Sequence, residues 1–283
     1  MSEAKVRGVP IHYEIIGERG SWIAFTPGSR RPYDELVALS RDIAARGHRV
    51  LLHDRRNCGR SGVAIEERGS EHEVWADDLF ELGQQVGASE MVVGGSSAGA
   101  RLALLFAMRH PKAAKGLLLW RVTGGSDATH ELAEAYYGSF VKLARAGGME
   151  AVCNSDHFRA CIAARPENRA KLMAMKPDEF IRVMESWEKK FRAATNMPVI
   201  GATEADLRAI RVPACIIAGN DRIHIPSTAR KVASLIPNAE FHDDVVEKRP
   251  DHNLKLEWDP KEWKAAEPRM AKIYGDFLQR VER

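Results

Sequence analysis

Two adjacent serines stand in a cluster of small residues, Gly95-Ser96-Ser97-Ala98-Gly99, between two apolar stretches. The stretch that begins at Met91 is strand-like, and the one that follows Gly99 is helix-like. A serine held at a sharp turn from strand to helix is exposed to react, and the residues two positions before and after it must be small because the backbones come close together. The spacing G-x-S-x-G therefore predicts Ser97 as a nucleophile.

Ser96 is the alternative nucleophile, because Gly94 and Ala98 are also small enough to flank a turn there. Glycine occupies both crowded positions only when Ser97 stands at the centre, so the spacing favours Ser97 and leaves Ser96 open. A phosphate-binding loop is a further reading of such a turn, but the segment has neither the GK[ST] nor the GxGxxG pattern that such loops carry.

Three further segments resemble the sequence motifs of a known enzyme superfamily. Asp54-Arg-Arg-Asn-Cys-Gly-Arg-Ser61 resembles the D-x-R-G-x-G-x-S turn of α/β hydrolases, with Asn57 where glycine is usual; asparagine tolerates positive φ. Thr26-Pro27-Gly28-Ser29 stands where that family usually has His-Gly, and Val212 to Asp221 looks like the strand that ends in its acidic residue. Together with the serine turn, these segments resemble the α/β-hydrolase superfamily over nearly the whole chain outside residues 122–205.

This resemblance implies a catalytic triad in the chain order serine, acid, histidine, in which a carboxylate orients the histidine that takes the serine proton. Asp221 directly follows a buried strand-like run and is the expected acid, and Asp127, after the preceding strand, is the alternative.

Three histidines follow Asp221, namely His224, His242 and His252. His224 is too close to the acid along the chain to come from a separate loop, and His242 belongs to the last strand or its edge. His252 lies in the polar loop before the C-terminal helix, where the family has its base. We therefore expect His252 to be the base, with a solvated loop histidine as the alternative.

The resemblance further implies that two backbone N–H groups form an oxyanion hole, which stabilises the negative charge of the transition state. The expected donors are Ala98, immediately after the nucleophile, and Ser29, in the loop after the first parallel strand. Gly28 would allow this loop to approach closely.

Three arginines lie near the expected site: Arg30 and Arg31 follow the oxyanion loop, and Arg121 follows the strand before the helical segment. Guanidinium groups bind carboxylates in bidentate pairs, so we hypothesise that the substrate carries a carboxylate. Solvated surface arginines are the alternative for each of the three.

Strand-like runs alternate with helical patterns along the chain, which predicts an α/β fold with a mostly parallel, eight-stranded sheet and helices on both faces. A hairpin is expected to open the chain, with strands at 5–7 and 11–16 around a turn at 8–10. The remaining strands are predicted near 22–25, 50–53, 91–93, 116–120, 214–218 and 239–242.

Residues 122–205 contain no strand-like run, and their helical pattern is broken by glycine and proline. This predicts an inserted helical cap at 122–205 within a core domain formed by residues 1–121 and 206–283. Phe180, Met184, Trp187 and Phe191 form an apolar seam in the cap at helical spacing. Packing is the expected role of the seam, and lining a substrate pocket is the alternative for Trp187.

The charged residues are balanced, with Lys+Arg 42 against Asp+Glu 39, and no long basic run occurs, which argues against nucleic-acid and membrane-surface partners. No signal-peptide pattern or apolar membrane span is found, so a cytoplasmic location is expected. The four cysteines form no CxxC pair, and no motif requires a metal or an organic cofactor. The expected partner is a small-molecule substrate, and the sequence leaves the oligomeric state open, a homodimer included.

The fold expected from this resemblance hosts esterases, thioesterases, lactonases and carbon–carbon bond hydrolases. We expect hydrolysis of a small carboxylic ester through an acyl-enzyme. The alternative reaction is hydrolysis of a carbon–carbon bond in a diketone-type intermediate of aromatic breakdown. An alternative of another class is a receptor that captures a small ligand, against which the apparent serine, acid and histidine set argues.

Overall fold

The computed structural model describes residues 2–281, which form one eight-stranded sheet with helices on both faces. The strand order is β1-β2-β4-β3-β5-β6-β7-β8, and the pairs from β4 to β8 are parallel. The pairs β1–β2 and β2–β4 are antiparallel. The strands are β1 Ser2–Val6, β2 Val9–Ile16, β3 Trp22–Thr26, β4 Arg49–His53, β5 Met91–Ser96, β6 Ala114–Trp120, β7 Ala214–Ile217 and β8 Ala239–His242. The predicted fold class is confirmed.

The first hairpin is tighter than its sequence suggests. Arg7 and Gly8 form the turn with φ of 47° and 87°, so the second strand resumes at Val9. A two-residue hairpin turn needs positive φ at both central positions, which matches the twist of the flanking strands. The predicted turn at residues 8–10 was therefore too long, and Val9 and Pro10 belong to β2.

Two groups of helices cover the sheet. The helices are α1 Val37–Ala44, α2 Glu71–Val86, α3 Ala98–Arg109, α4 Ser126–Ala133, α5 Ser139–Cys153, α6 Asp156–Ala164, α7 Glu167–Met173, α8 Pro177–Arg192, α9 Glu204–Ala209, α10 Pro226–Leu235 and α11 Pro260–Val281. Helices α2, α3 and α10 pack on one face, and α1 and α11 pack on the other. Within residues 2–281, none of the helices has both the length and the apolar character to cross a membrane.

Helices α4 to α9 form a helical insertion between β6 and β7. In the described part of this segment the only strand-like pairing is a single bridge between Val199 and Ala202. The seam on α8 is buried, and Trp187 stacks edge-on against Tyr137 with ring centroids 6.1 Å apart. The absence of strands predicted for this segment holds, and the assignment of residues 122–205 as a separate cap domain stays a prediction.

Most of the described non-glycine residues with positive φ lie near the carboxyl ends of the parallel strands. Five non-glycine residues among those described have positive φ, and four of them directly follow these strands or lie in the next turn: Ser29, Asn57, Ser97 and Arg121. Such a conformation is uncommon outside glycine, and it persists where the surrounding structure enforces it, often at functional sites. This edge of the sheet is therefore the first place to search for a site.

Candidate functional site

Ser97 occupies the turn between β5 and α3, because β5 ends at Ser96 and α3 begins at Ala98. Its φ of 54° and ψ of −110° are far from both strand and helix values. The turn is fixed from both sides: the Ser97 N–H donates to the Trp120 carbonyl at 3.1 Å, and the Arg101 N–H donates to the Ser97 carbonyl at 3.1 Å. Ser96 instead pairs with Trp120 inside the sheet. The structure thus puts Ser97, and not Ser96, at the strained position.

Two glycines make this turn possible. A Cβ at Gly99 would lie 2.0 Å from the Thr26 carbonyl oxygen, and a Cβ at Gly95 would lie 2.6 Å from the same atom. No side chain fits at these distances, so β3, β5 and the start of α3 come this close only with glycine at both positions. The crowding expected from the G-x-S-x-G spacing is therefore present with Ser97 at its centre.

The two predicted oxyanion donors are free. Neither the Ser29 N–H nor the Ala98 N–H has an acceptor within the described chain. The loop that carries Ser29 lies against the nucleophile, since a Cβ at Gly28 would be 3.3 Å from the Ser97 Cβ. The Ser97 Oγ lies 3.4 Å from the Thr123 Oγ1, which is its one side-chain hydrogen bond among residues 2–281.

Asp221 is buried in the turn after β7, with 1% of its surface exposed. Its Oδ1 accepts hydrogen bonds from the N–H groups of Ile223 and His224 and from the His224 Nδ1, at 3.0, 3.0 and 2.8 Å. Burial alone would raise the pKa of Asp221, but the hydrogen bond from His224 and the charge of Arg121 lower it below its usual value. Asp221 is therefore an ionised, oriented acid.

His224 is the histidine that Asp221 holds. The Asp221 carboxylate can only accept a hydrogen bond, so the His224 Nδ1 carries the proton. The Nε2 atom therefore has a free lone pair, and it is buried without a hydrogen-bond partner among the described residues. Burial lowers the pKa of His224 to about 4, and the charge of Arg121, whose guanidinium lies 3.4 Å from Nδ1, acts in the same direction. The ring is thus neutral at pH 7 and able to accept a proton at Nε2.

The structure does not bring His252 to Asp221. His252 lies in the short 3-10 turn Asp251–Asn253, is exposed, and makes no hydrogen bond within residues 2–281. The sequence argument expected the partner of Asp221 to come from a separate loop, but the chain folds back within three residues and brings His224 to Asp221. A Cβ at Gly219 would be 2.4 Å from that of His224. The loop that contains His252 nevertheless lies next to the turn of Asp221, because the Lys255 N–H donates to the Asn220 carbonyl at 3.3 Å.

The two other residues considered from sequence lie away from this pair. His242 is half-buried at the end of β8, 3.3 Å from Glu240, as the strand prediction implied. Asp127 is exposed in the first turn of α4 and accepts a hydrogen bond from Ser126. Neither contacts Ser97.

The three predicted arginines differ in their surroundings and in their acidic partners. Arg30 is buried under the helical insertion and pairs with Glu71 at 2.6 Å. Arg31 is half-buried and pairs with Glu35 at 3.1 Å. Arg121 is 4% exposed, has no carboxylate within salt-bridge distance in the described chain, and burial lowers its pKa to about 10. Neither Arg30 nor Arg121 is a solvated surface arginine.

Two cavities lie next to these groups. One, of about 380 Å³, is lined by Arg31, Ser96 and Arg121 together with Trp258, over which both guanidiniums stack at 4.3–4.5 Å. The other, of about 350 Å³, lies under the helical insertion and is lined by residues that include Trp187. Trp187 therefore packs in the seam and lines a cavity, and its contact with a substrate stays a prediction.

Sequence reasoning missed three buried groups near the nucleophile: Arg55, Arg101 and His72. Arg101 is one helical turn after Ser97, and Arg55 follows Asp54, the first residue after β4, so both lie at a short distance from the motifs quoted above. Sequence alone does not predict their burial, because charged residues are usually solvated.

One group of metal-ligand type occurs away from this edge. Ligand atoms of Cys215, Glu240 and His242 lie within 4.8 Å of one another across β7 and β8. Glu240 is already paired with Arg280 at 2.5 Å, which competes with a metal for its carboxylate.

Comparison with known proteins agrees with this architecture. Residues 26–147 match the family model of the alpha/beta hydrolase fold. A proline iminopeptidase of Lacticaseibacillus rhamnosus is 27% identical over 267 residues, which are 82% of this chain and 85% of that protein.

Two solved structures show the same fold at low sequence identity. A thermophilic esterase from Thermogutta terrifontis, solved with malate bound, superposes over 100% of both chains with a TM-score of 0.66 and 18% identity. A meta-cleavage product hydrolase from Pseudomonas fluorescens IP01 covers 99% of this chain and 98% of its own, with a TM-score of 0.65 and 15% identity.

Proposed function

Because the chain belongs to the α/β-hydrolase fold superfamily, we propose that it is a serine hydrolase that cleaves a small carboxylic ester through an acyl-enzyme on Ser97. The observation that carries this proposal is the strained turn at Ser97, which two crowded glycines enforce beside two unpaired backbone N–H groups. Backbone of this kind is retained where it positions a reacting group.

The reaction follows from the groups in place. The Ser97 Oγ attacks the ester carbonyl while its proton passes to a histidine Nε2, and the resulting oxyanion accepts hydrogen bonds from Ser29 and Ala98. The C–O bond then breaks, and the alcohol leaves with the proton from the histidine. Water next attacks the acyl-enzyme, loses its proton to the same histidine, and releases the acid and free Ser97. The sum is ester plus water giving acid plus alcohol.

Two histidines compete for the role of base. The His224 Nδ1 is hydrogen-bonded to Asp221, and its Nε2 has no partner among the described residues, so we propose His224 as the base. His252, the histidine expected from the family pattern, is the alternative and requires its loop to bring the ring to Asp221. Neither ring is within hydrogen-bond distance of the Ser97 Oγ, and such contacts commonly tighten only with substrate bound.

A fluorophosphonate probe tests the nucleophile. The wild-type protein and the Ser96→Ala variant are expected to take the label, and the Ser97→Ala variant to remain unlabelled in intact-mass spectra. Ser96→Ala is a matched control because it deletes the same atom one residue away, inside β5. An unlabelled wild type, or label retained in Ser97→Ala and lost in Ser96→Ala, contradicts the assignment.

We also propose that the substrate carries a carboxylate near Arg121, which lacks an acidic partner, with Arg31 beside it. The related fold of the esterase solved with malate, a dicarboxylate, is consistent with such chemistry. In steady-state kinetics, Arg30→Ala, Arg31→Ala and Arg121→Ala are compared on acidic and neutral esters. A selective loss on the acidic ester supports the proposal, and equal losses on both refute it.

Hydrolysis of a carbon–carbon bond remains the second candidate, because buried arginines under a helical insertion suit an acidic diketone-type substrate as well. Turnover of such a diketone acid with little turnover of matched esters would favour it. Binding of a small ligand without any labelling of Ser97 would favour the receptor alternative.

A further inference from the structure

Three arginines are buried together beneath the helical insertion: Arg30, Arg55 and Arg101, with 7%, 1% and 1% of their surface exposed. Aromatic rings cover them. The guanidinium of Arg30 lies over Tyr136 and Tyr137 at 5.6 and 5.4 Å, that of Arg55 over Trp75 at 4.5 Å, and that of Arg101 over Phe191 at 5.1 Å. We call these three residues the arginine cluster.

The arginine cluster has one acidic partner for three positive charges. Glu71 pairs with Arg30 at 2.6 Å. Arg55 donates only to the carbonyl oxygens of Gly28 and Arg31, at 3.4 and 3.5 Å. Neighbouring acids are already engaged: Asp78 pairs with Arg56 and Arg7, and Asp54 pairs with Arg60.

Arg101 likewise has no carboxylate in the described chain, and it donates to the His72 Nε2 at 3.1 Å. That bond requires a neutral His72, and burial together with the charges of Arg101, Arg55 and Arg30 lowers its pKa well below the usual value. His72 therefore accepts from the cluster and does not add or cancel charge.

Several donors of the cluster point at no acceptor. Buried nitrogens without a partner among residues 2–281 are Nε and one terminal nitrogen in each of Arg30, Arg55 and Arg101. Removing a charged group from water without a partner is costly, so unpaired buried guanidiniums are retained chiefly where something else neutralises them. The remaining donors fit the oxygens of a carboxylate or a phosphate, which accept bidentate bonds from arginine.

The arginine cluster is linked to the nucleophile turn and to the oxyanion loop by backbone contacts. Arg101 is one helical turn after Ser97, and its N–H donates to the Ser97 carbonyl. Arg30 follows the oxyanion donor Ser29, and Arg55 holds the carbonyl of Gly28 in the same loop. The cavity of about 350 Å³ under the insertion is lined by His72, Tyr137 and Phe191, each of which contacts Arg30 or Arg101.

We infer that the arginine cluster binds an anionic group of the substrate, a carboxylate or a phosphate, on the side of the scissile bond that lies under the helical insertion. The inference rests on the proposed function and names its substrate class: an acidic ester whose charged group lies among Arg55, Arg101 and Arg30 and whose apolar part contacts the aromatic rings above them. It adds to the proposed site at Arg31 and Arg121, which line a different cavity.

Binding to the Ser97→Ala protein tests this inference by calorimetry with three probes: succinate, inorganic phosphate and the neutral analogue succinamide. Succinate or phosphate is expected to bind, and succinamide is not. The anion that binds more tightly shows whether the charged group of the substrate is a carboxylate or a phosphate. In Arg101→Met or Arg55→Met on that background, binding is expected to weaken about tenfold to a hundredfold, the usual effect of losing a hydrogen bond between charged groups. Arg49→Met, which removes the same charge at the opposite edge of the sheet, is the control and should leave binding unchanged.

Thermal stability separates ligand binding from a structural role. Without ligand, Arg101→Met is expected to raise the melting temperature, because the cost of a buried charge without a carboxylate partner exceeds that of the hydrogen bond lost at His72. Arg56→Met is expected to lower the melting temperature, because it leaves the buried Asp78 without its main partner. The inference is overturned if neither anion binds, if Arg101→Met and Arg55→Met bind both anions as tightly as the parent, or if Arg101→Met melts at a lower temperature.

Fluorophosphonate labelling of the wild-type protein distinguishes this inference from the proposed function. Label without anion binding refutes only this inference, and anion binding without label refutes only the proposed reaction.

Discussion

The identity of the general base is the sharpest consequence of the structure, and His224→Ala, His252→Ala and Asp221→Asn measure it together. A positioned base contributes about 10²- to 10⁴-fold to the rate. With His224 as base, His224→Ala is expected to lose kcat by about that factor, and Asp221→Asn to lose a large part of it, because the amide no longer enforces the Nδ1 proton. His252→Ala is expected to stay within a few-fold of wild type.

The pH profile gives a second, independent measurement. A base must be neutral, so activity falls as the pH drops through its pKa. For His224 that pKa is about 4, which puts the acid limb of kcat/KM near pH 4, well below the pH of about 6.5 at which an unperturbed histidine titrates. Because the charge of Arg121 is one cause of the depression, Arg121→Gln is expected to move this limb to higher pH.

The reasoning fails if His252→Ala abolishes turnover while His224→Ala keeps it, which would restore the base expected from the family pattern. It also fails if the acid limb lies near pH 6.5 and does not move in Arg121→Gln. Circular dichroism and melting temperature of each variant show whether a loss of rate reflects the chemistry or the fold, since His224 and Asp221 are both buried.

Three further substitutions, the first with a matched control, test the packing and the local structure of the core. Gly99→Ala, which would force a Cβ to 2.0 Å from the Thr26 oxygen, is expected to unfold the protein or abolish fluorophosphonate labelling, whereas Gly116→Ala, with its nearest atom at 3.4 Å, is expected to fold and label. His53→Leu removes two buried, unpartnered ring nitrogens and is expected to raise the free energy of unfolding at pH 7 by about 1–3 kcal/mol. Because burial lowers the pKa of His53 to about 3, wild type is also expected to lose about 1.4 kcal/mol per pH unit relative to that variant as pH falls below about 6.5, and urea titrations across pH check both values. Ser70→Ala removes the capping box of α2 and is expected to cost about 1 kcal/mol in the same assay.

The parts of the molecule that local pattern determines were predictable. The G-x-S-x-G turn and the apolar seam of α8 each depend on residues within a few positions of one another. Asn57, where the family usually has glycine, has a φ of 64°, as its tolerance of that region suggested. Steric contacts between near neighbours and helical periodicity depend on the local sequence, so these features could be inferred from it.

The electrostatics of the site were not predictable in the same way. The pairing of Asp221 with His224 depends on how tightly a three-residue turn folds back, which the chain order of family motifs does not specify. Arg30 and Arg101 follow motifs equally closely, yet Glu71 neutralises one and nothing in the described chain neutralises the other. Which charge is paired is decided by helices that are distant in sequence, so it emerges only from the tertiary structure.

The two proposals are coupled through the charge on His224. Arg121 and Arg101 both depress its pKa, and a pKa of about 4 makes a weak base at neutral pH. A substrate anion bound at the arginine cluster offsets the charge of Arg101, so the pKa of His224 rises only when an acidic substrate is present. The acid limb of kcat, which reports the bound enzyme, should then lie at higher pH than that of kcat/KM, which reports the free enzyme. The gap is expected for acidic esters, absent for neutral ones, and closed in Arg101→Met. In this arrangement, the same unpaired arginines that select the substrate keep the basicity of the histidine low until the substrate anion offsets their charge.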